Sequence, residues 1–324
     1  MMQVDWMQVV ADLDARGLEV DSNVSLRDLS RWRIGGHAPV LVLPSSTGDV
    51  STVIRYCNDQ DIPYIVIGDT SNLLFSDDGL EAVLIKIGRS MSAIDHSGTT
   101  VKVQAGRWVP SLARFSAGKG LTGLEHTAGI PGTVGGLVCM NGGSQRKGIG
   151  ESLVSVTAVM PDSTEKVFNH DDCCFAYRTS IFQKNGAIIT EVKLRLEQGS
   201  TQNVRRDMLA ILKSRRLKFP LKLPNCGSVF ASNPAMYDKV GAPGFAIEQV
   251  GLKGHAIGDA KISDLHANFF VNQGSASSKD MLALIHKARD AVKEETGFVM
   301  DSEVRFVRPD GKLVPANDVS EVDL

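Results

Sequence analysis

Apolar positions along the chain switch between the two periods that mark helices and strands. Residues 1–19 set Trp6, Val9, Val10 and Leu13 on one face of a short amphipathic helix. Val40–Leu43 is an apolar run closed by Pro44 and reads as a buried strand. SSTGDVSTVIRYCNDQD then turns Val50, Val53, Ile54 and Cys57 to one side of a helix, and Tyr64–Ile67 is a second strand. Strand, helix and strand at this spacing make a βαβ unit. VLIKI and VKVQ, between Ala82 and Gln104, predict two more short strands. Trp108, Leu112 and Phe115 fall at helical spacing before Gly118 and Gly120 stop the pattern. LVSVTAVM and residues 187–197 read as strands, GSTQN as a linker, and residues 203–217 as a helix with Lys213, Arg215, Arg216 and Lys218 near its end. SSKDMLALIHKARDAVKEETG buries Met281, Leu284, Ile285, Ala288 and Val292 at 3.6-residue spacing and leads to the strand VRFV. The segment from Arg308 onward has little to bury and is expected to be mobile.

One stretch breaks both periods. GLEHTAGIPGTVGGLVCMNGG, Gly123–Gly143, is dense in glycine without being repetitive, so the backbone itself is in use there: for positive φ, or for the close approach of a phosphate or a flat ring. Pro131 fixes a turn, and the run Leu137–Met140 starts a helix whose free N–H groups would attract an anion. The stretch lacks the Lys-Ser/Thr end of a P-loop and the spacing of a Rossmann fingerprint. A second loop, Gly68-Asp69-Thr70-Ser71-Asn72, follows the strand Tyr64–Ile67 and offers several convergent donors of the kind a pyrophosphate needs. On its own it is more readily an ordinary turn.

Composition narrows the classes. The 324 residues exceed what one hydrophobic core organises, so two or three domains are expected. A net charge of −2, from 35 basic and 37 acidic residues without long runs, argues for a small-molecule ligand and against nucleic acid or a membrane surface. The N-terminal stretch carries acids among its apolar residues and reads as neither signal peptide nor membrane span, so a cytoplasmic protein is expected. Five cysteines without a C-x-x-C pair read as reduced thiols, and the seven histidines show no metal-binding spacing, so no metal is expected.

Two further stretches carry chemistry. In CCFAYRTSIF, Arg178 stands among Phe175, Tyr177, Ile181 and Phe182, where a guanidinium needs a partner or a task. In LPNCGSVFASNP, small residues surround Ser228, but with no nucleophile elbow a hydrolase is disfavoured.

GDTSNLL, PGTVGG, F-A-Y-R-T-S, C-G-S-V-F, GFAIEQVGLKGHAIGDAKISDLHANFFVNQG and the acid-led VMDSEVRFV occur in the order found in UDP-N-acetylenolpyruvoylglucosamine reductases, the FAD enzymes of peptidoglycan synthesis. The chain resembles that family over about residues 25–307, in the compact subtype without the tyrosine-bearing loop. The resemblance implies an α+β protein: an FAD-binding fold of two α+β subdomains, of the p-cresol methylhydroxylase/vanillyl-alcohol oxidase type, plus a C-terminal α/β substrate-binding domain. The corresponding divisions are a helix at 1–20, subdomains at 21–90 and 91–199, the substrate domain at 200–308 and a mobile tail at 309–324.

It implies FAD as cofactor, NADPH as electron donor, and reduction of UDP-N-acetylglucosamine enolpyruvate to UDP-N-acetylmuramate. Arg178, Ser228 and Glu303 take the catalytic positions. Gly68, Asp69, Thr70, Ser71, Asn72, Gly129, Ile130, Pro131, Gly132, Gly135, Gly136 and Asn141 take the cofactor positions, and Tyr177, Arg216, Asn233 and His266 face the substrate. The chain departs from the pattern at Thr70, at SQRKG (144–148) and at FASNP (230–234). The branched Thr70 predicts either a negative φ or a displaced loop, and Asp69 is expected to face solvent, since turned inward it would repel phosphate. These departures keep two alternatives open: a paralogue acting on another nucleotide-linked sugar, and a flavin or nucleotide-sugar binding protein without turnover. A monomer or weak oligomer is expected.

Overall fold

The computed structural model describes residues 4–319; residues 1–3 of the expected N-terminal helix and 320–324 of the expected tail lie outside the described residues. The chain divides into two compact units, each drawn from separated stretches. The first takes the chain up to Ser22, Val40–Asp69 and Val83–Arg215; the second takes Asn23–Pro39, Thr70–Ala82 and the chain from Arg216 on.

In the first unit, Val83–Lys86 is the central strand. Val40–Val42 pairs with it in parallel on one side and Tyr64–Ile67 on the other. The connecting helix Thr47–Asp59 buries Val50, Val53, Ile54 and Cys57 as its spacing predicts. Its start is capped by Ser46, whose hydroxyl accepts the Asp49 N–H at 3.1 Å. A five-stranded antiparallel sheet follows in the order 165–169, 153–159, 188–195, 100–104, 94–97. Two of its strands, Ile94–Ser97 and Glu165–Asn169, were not expected; both are short outer strands, and the second buries only Phe168.

Trp108 differs from expectation too. It is the exposed N-cap of the helix Val109–Gly118, bridged to Thr133, while Leu112 alone of the three spaced residues is fully buried. The expected linker is partly helix: Thr201–Lys218 starts inside it, because the break falls at Gly199, whose N–H donates to Gly120 O at 2.7 Å, and Val204 is buried in the first helical turn.

In the second unit, Leu73–Phe75 pairs in parallel with Arg305–Val307, and Leu313–Pro315 pairs antiparallel on the other side. The segment expected to have little to bury therefore carries a strand, and Ala316 and Val319 are buried beyond it. The helix Ser278–Thr296 supplies the core through the five predicted residues and is closed at its start by a capping box of Ser277 and Asp280. Gly297 ends it at φ +75, a left-handed cap. Among the described residues no helix is long and apolar enough to cross a membrane.

Candidate functional site

The glycine-rich stretch lies in the first unit against the loop that follows Tyr64–Ile67. Gly68 touches Thr133: any Cβ at 68 would collide with the Thr133 hydroxyl, so only glycine lets the two loops meet. The helix is Val134–Cys139, and its first N–H groups are not free as the sequence suggested. Val134 N–H donates to Arg107 O at 2.9 Å, Gly135 N–H to Ala105 O at 2.8 Å, and Gly136 N–H to Thr133 Oγ1 at 3.4 Å. Residues remote in sequence fill the first two donors, which no local pattern could reveal, while Thr133 fills the third as the helix N-cap.

What remains open is the helix face at Gly136. It is exposed, and a Cβ there would meet only Thr133 Oγ1, at 3.5 Å. Helical glycine costs about 1 kcal/mol relative to alanine, so a bare glycine with space before it fits a flat or anionic group resting on the helix. Gly135 faces the other way, where a Cβ would sit 3.0 Å from Ala105 Cβ. Gly132 takes φ +146, and its carbonyl accepts the Val109 N–H at 2.9 Å. Ile130 N–H closes a turn on Thr127 O at 2.9 Å, with Pro131 half-buried beside it. Gly129 lies beneath Arg215, whose side chain occupies the place of a Cβ. These residues fit the cradle of a dinucleotide cofactor: two touching loops, small side chains and an uncovered helix turn.

Thr70 was expected at negative φ or in a displaced loop, and the negative φ does not hold. Its φ is +56, and the strain of a branched residue there is offset by its buried hydroxyl, which accepts the Arg31 N–H at 3.0 Å and donates to Leu29 O at 3.1 Å. Asp69 is only half-exposed, and its charge works on Lys86. Burial pulls the Lys86 ammonium below its usual range, and Asp69 partly restores it. Ser71 and Asn72 are half-buried, and Asn72 O accepts the Arg305 N–H at 2.9 Å.

Arg178 sits at the tip of a two-residue turn. Ala176 and Thr179 exchange both backbone hydrogen bonds at 3.1 Å, leaving Tyr177 and Arg178 between them, with Arg178 at φ +54. That is the second central position of a type II turn, which glycine normally takes. Contacts from three directions hold the arginine there. Its guanidinium donates to Gly143 O at 3.1 Å and lies 5.4 Å from the Tyr177 ring centroid, and its carbonyl accepts from Gln183 Nε2 at 2.9 Å. Asn141, itself at φ +41, joins the turn to the glycine-rich stretch by donating to Ala176 O at 2.9 Å and accepting the Gly150 N–H at 3.0 Å. Within SQRKG, Gln145 and Arg146 are exposed at φ +57 and +64.

In the second unit Ser228 begins a short extended run. Ser228 bridges to Phe269 and Phe230 to Ser302, so the run lies between the 268–269 and 301–303 segments. Glu303 N–H donates to Val229 O at 2.8 Å, which sets the glutamate's backbone beside the serine's. Both side chains are half-buried. His266 packs with Phe219 and Phe269, at 5.3 and 5.1 Å between ring centroids, and burial holds its imidazole below the usual range. Its Nδ1 accepts the Asn268 N–H at 3.2 Å, so the ring proton is on Nε2. Asn233 is exposed and uses Oδ1 as the N-cap of Pro234–Tyr237, accepting the Ala235 N–H at 2.9 Å. Arg216 is exposed, whereas its neighbour Arg215 is the half-buried one over Gly129.

Sequence reasoning passed over Thr133, Gln183 and Asn268. Thr133 lay inside PGTVGG as the N-cap of Gly136, and Gln183, one residue past CCFAYRTSIF, holds the Cys139 and Arg178 carbonyls, the first of which only the fold brings to it. Asn268 had a visible signal: an amide between His266-Ala267 and Phe269 in an otherwise apolar run.

This is an FAD-binding protein: residues 38–169 match the family model of an FAD binding domain. Residues 219–307 match the UDP-N-acetylenolpyruvoylglucosamine reductase, C-terminal domain. UDP-N-acetylenolpyruvoylglucosamine reductase 1 of Corynebacterium glutamicum is 44% identical over 300 residues, covering 93% of this chain and 90% of that protein. The reductase of Bacillus subtilis is 37% identical over 302 residues, covering 93% and 98%. The crystal structure of the reductase from Thermus caldophilus superposes with a TM-score of 0.76 at 31% identity, covering 89% of this chain and 99% of that one. The chain belongs to the UDP-N-acetylenolpyruvoylglucosamine reductase family.

Proposed function

We propose that this chain is the FAD-dependent, NADPH-driven reductase of UDP-N-acetylglucosamine enolpyruvate, forming UDP-N-acetylmuramate for peptidoglycan precursor synthesis. The reaction is placed in the cytoplasm, on a monomer or weak oligomer with a small-molecule substrate. The observation that carries the reading is the pairing of Glu303 N–H with Val229 O, which sets a carboxyl-bearing residue beside the strand of a hydroxyl proton donor within a chain of this family.

Gly68–Asn72 and Gly129–Gly136 would hold the cofactor, with Asn141 bracing the second loop from behind. When bound, FAD supplies hydride transfer from NADPH to C3 of the enolpyruvyl ether. The remaining work falls to the chain. Negative charge moves onto the substrate carboxylate as C3 gains hydride, and Arg178, pre-set by its turn, stabilises it without reorganising. Ser228 delivers the proton that C2 requires, completing the two-electron reduction of the double bond. Glu303, when protonated, donates a hydrogen bond toward the substrate carboxylate. Tyr177, 60% exposed beside Arg178, offers an aromatic surface to the substrate, as do Asn233 and His266 their polar edges in the second unit; Arg216 offers its charge to the diphosphate.

Anaerobic half-reactions test this. The purified flavoprotein should be reduced by NADPH and reoxidised rapidly by UDP-N-acetylglucosamine enolpyruvate, with UDP-N-acetylmuramate as product. Ser228→Ala should leave reduction nearly intact and slow reoxidation by roughly 10²-fold or more. Equal losses in both halves would sink the proton-donor assignment. Reduction without reoxidation in the unmodified protein would point to another nucleotide sugar.

A further inference from the structure

Asn268, only 5% exposed, commits every hydrogen-bonding group it has inside the second unit. Its N–H donates to His266 Nδ1 at 3.2 Å and its carbonyl accepts the Val229 N–H at 2.9 Å. Its side-chain Oδ1 accepts the Phe230 N–H, and Nδ2 donates to the Phe230 carbonyl, both at 2.9 Å. The amide therefore replaces a neighbouring strand: it satisfies both faces of one residue as a β-ladder would, through a side chain.

The need for this comes from the path of the backbone. Within three residues the run passes from a bridge with Phe269, at Ser228, to a bridge with Ser302 on its other side, at Phe230. So brief a pairing gives little resistance to sliding, and a slip of one residue would turn the Ser228 hydroxyl to the opposite face. Val229 is held at both ends, by Asn268 O and by the Glu303 N–H at 2.8 Å, so one chain of contacts links Asn268, the serine strand and the glutamate.

We propose that Asn268 is a positioning residue for the proton transfer: it locks the register of Ser228–Phe230, fixing where the Ser228 hydroxyl presents its proton and, through Val229, where Glu303 begins. The inference rests on the reading of Ser228 as proton donor. A misplacement of about 1 Å can cost 10²-fold in a positioned step, so the effect belongs in the rate of that step.

The test uses the FAD-loaded enzyme, NADPH and UDP-N-acetylglucosamine enolpyruvate. Asn268→Ala should keep flavin reduction within about twofold, slow reoxidation about tenfold or more, and leave KM for the enolpyruvyl substrate within about threefold. Adding Asn268→Ala to Ser228→Ala should slow reoxidation by much less than Asn268→Ala does alone, because the positioned hydroxyl is gone and only the placement of Glu303 is left to lose. Full multiplication of the two losses overturns the inference while the donor reading stands. An Ser228→Ala enzyme that reoxidises normally defeats the donor reading and the inference with it. Should the alanine variant not fold, Asn268→Asp decides. Its ionised carboxyl would face the Phe230 carbonyl, and its protonated form restores an O–H donor there. Reoxidation by Asn268→Asp should therefore recover as pH falls, relative to unmodified enzyme, and a pH-independent ratio overturns the proposal.

Discussion

Thr70, Asn141 and Arg178 hold left-handed backbone conformations without being glycine. Each is retained by hydrogen bonds to partners distant in sequence, and each sits at a proposed cofactor or catalytic position, where stored backbone strain is most often found. Thr70 allows the clearest test. Thr70→Val keeps the branch at positive φ but removes the hydroxyl that serves Arg31 N–H and Leu29 O, and should cost about 2 kcal/mol. Thr70→Gly loses the same bonds but relieves about 1 kcal/mol of left-handed penalty, so it should unfold between Thr70→Val and the unmodified chain. Thermal unfolding decides: a valine variant as stable as the unmodified chain would remove the hydroxyl's assigned role, and one at least as stable as the glycine variant would remove the backbone penalty. The sequence showed that a glycine was missing at 70 but could not show its remedy, since Leu29 and Arg31 are neighbours only in space.

The helix Val134–Cys139 is a poor helix by composition, carrying Gly135 and Gly136 in its first turn. Gly135 is needed against Ala105, while nothing described in the chain covers Gly136. Gly136→Ala should therefore raise the stability of the cofactor-free protein by up to about 1 kcal/mol and weaken retention of FAD. Unfolding of the apoprotein and a flavin-binding titration measure the two, and a variant that gains stability while binding FAD unchanged would separate this helix from the cofactor. Elements whose periodicity follows from their own burial were legible beforehand. Ser278–Thr296 presents its five predicted residues inward, and Thr47–Asp59 its four. Ile94–Ser97 and Glu165–Asn169 were not legible, because the sheet they join, and not their side-chain pattern, makes them strands. The occupied N–H groups of Val134 and Gly135 escaped for the same reason, as their acceptors come from Arg107 and Ala105.

For the molecule as a whole, buried imidazoles tie stability to pH. Burial holds His126 and His266 below the ordinary histidine range, so both are neutral in the fold at neutral pH. The unfolded chain takes up these protons at about pH 6.5 and the folded chain only below that, so their contribution is complete above about pH 6.5 and is lost as pH falls. His126→Phe, which keeps an aromatic ring in the buried site, should narrow the drop in Tm between pH 7.5 and 5.5; an unchanged drop would assign the acid sensitivity elsewhere. The family could be read from the separated motifs because their order along the chain is itself information. The interleaving of the two units could not, since Asn23–Pro39 and Thr70–Ala82 carry no mark of the late segment they join.

The parallel pairing of Leu73–Phe75 with Arg305–Val307 also bears on how the protein is made. A ribosome releases the first strand long before the second, and Asn72 O waits equally long for the Arg305 N–H. Until then the edge of Leu73–Phe75 that Arg305–Val307 will cover stays open to other chains. The nascent polypeptide therefore has to keep this apolar strand from wrong partners until Arg305–Val307 has been made, and the Gly68–Asn72 loop is anchored at its far end only when the glutamate-bearing segment arrives.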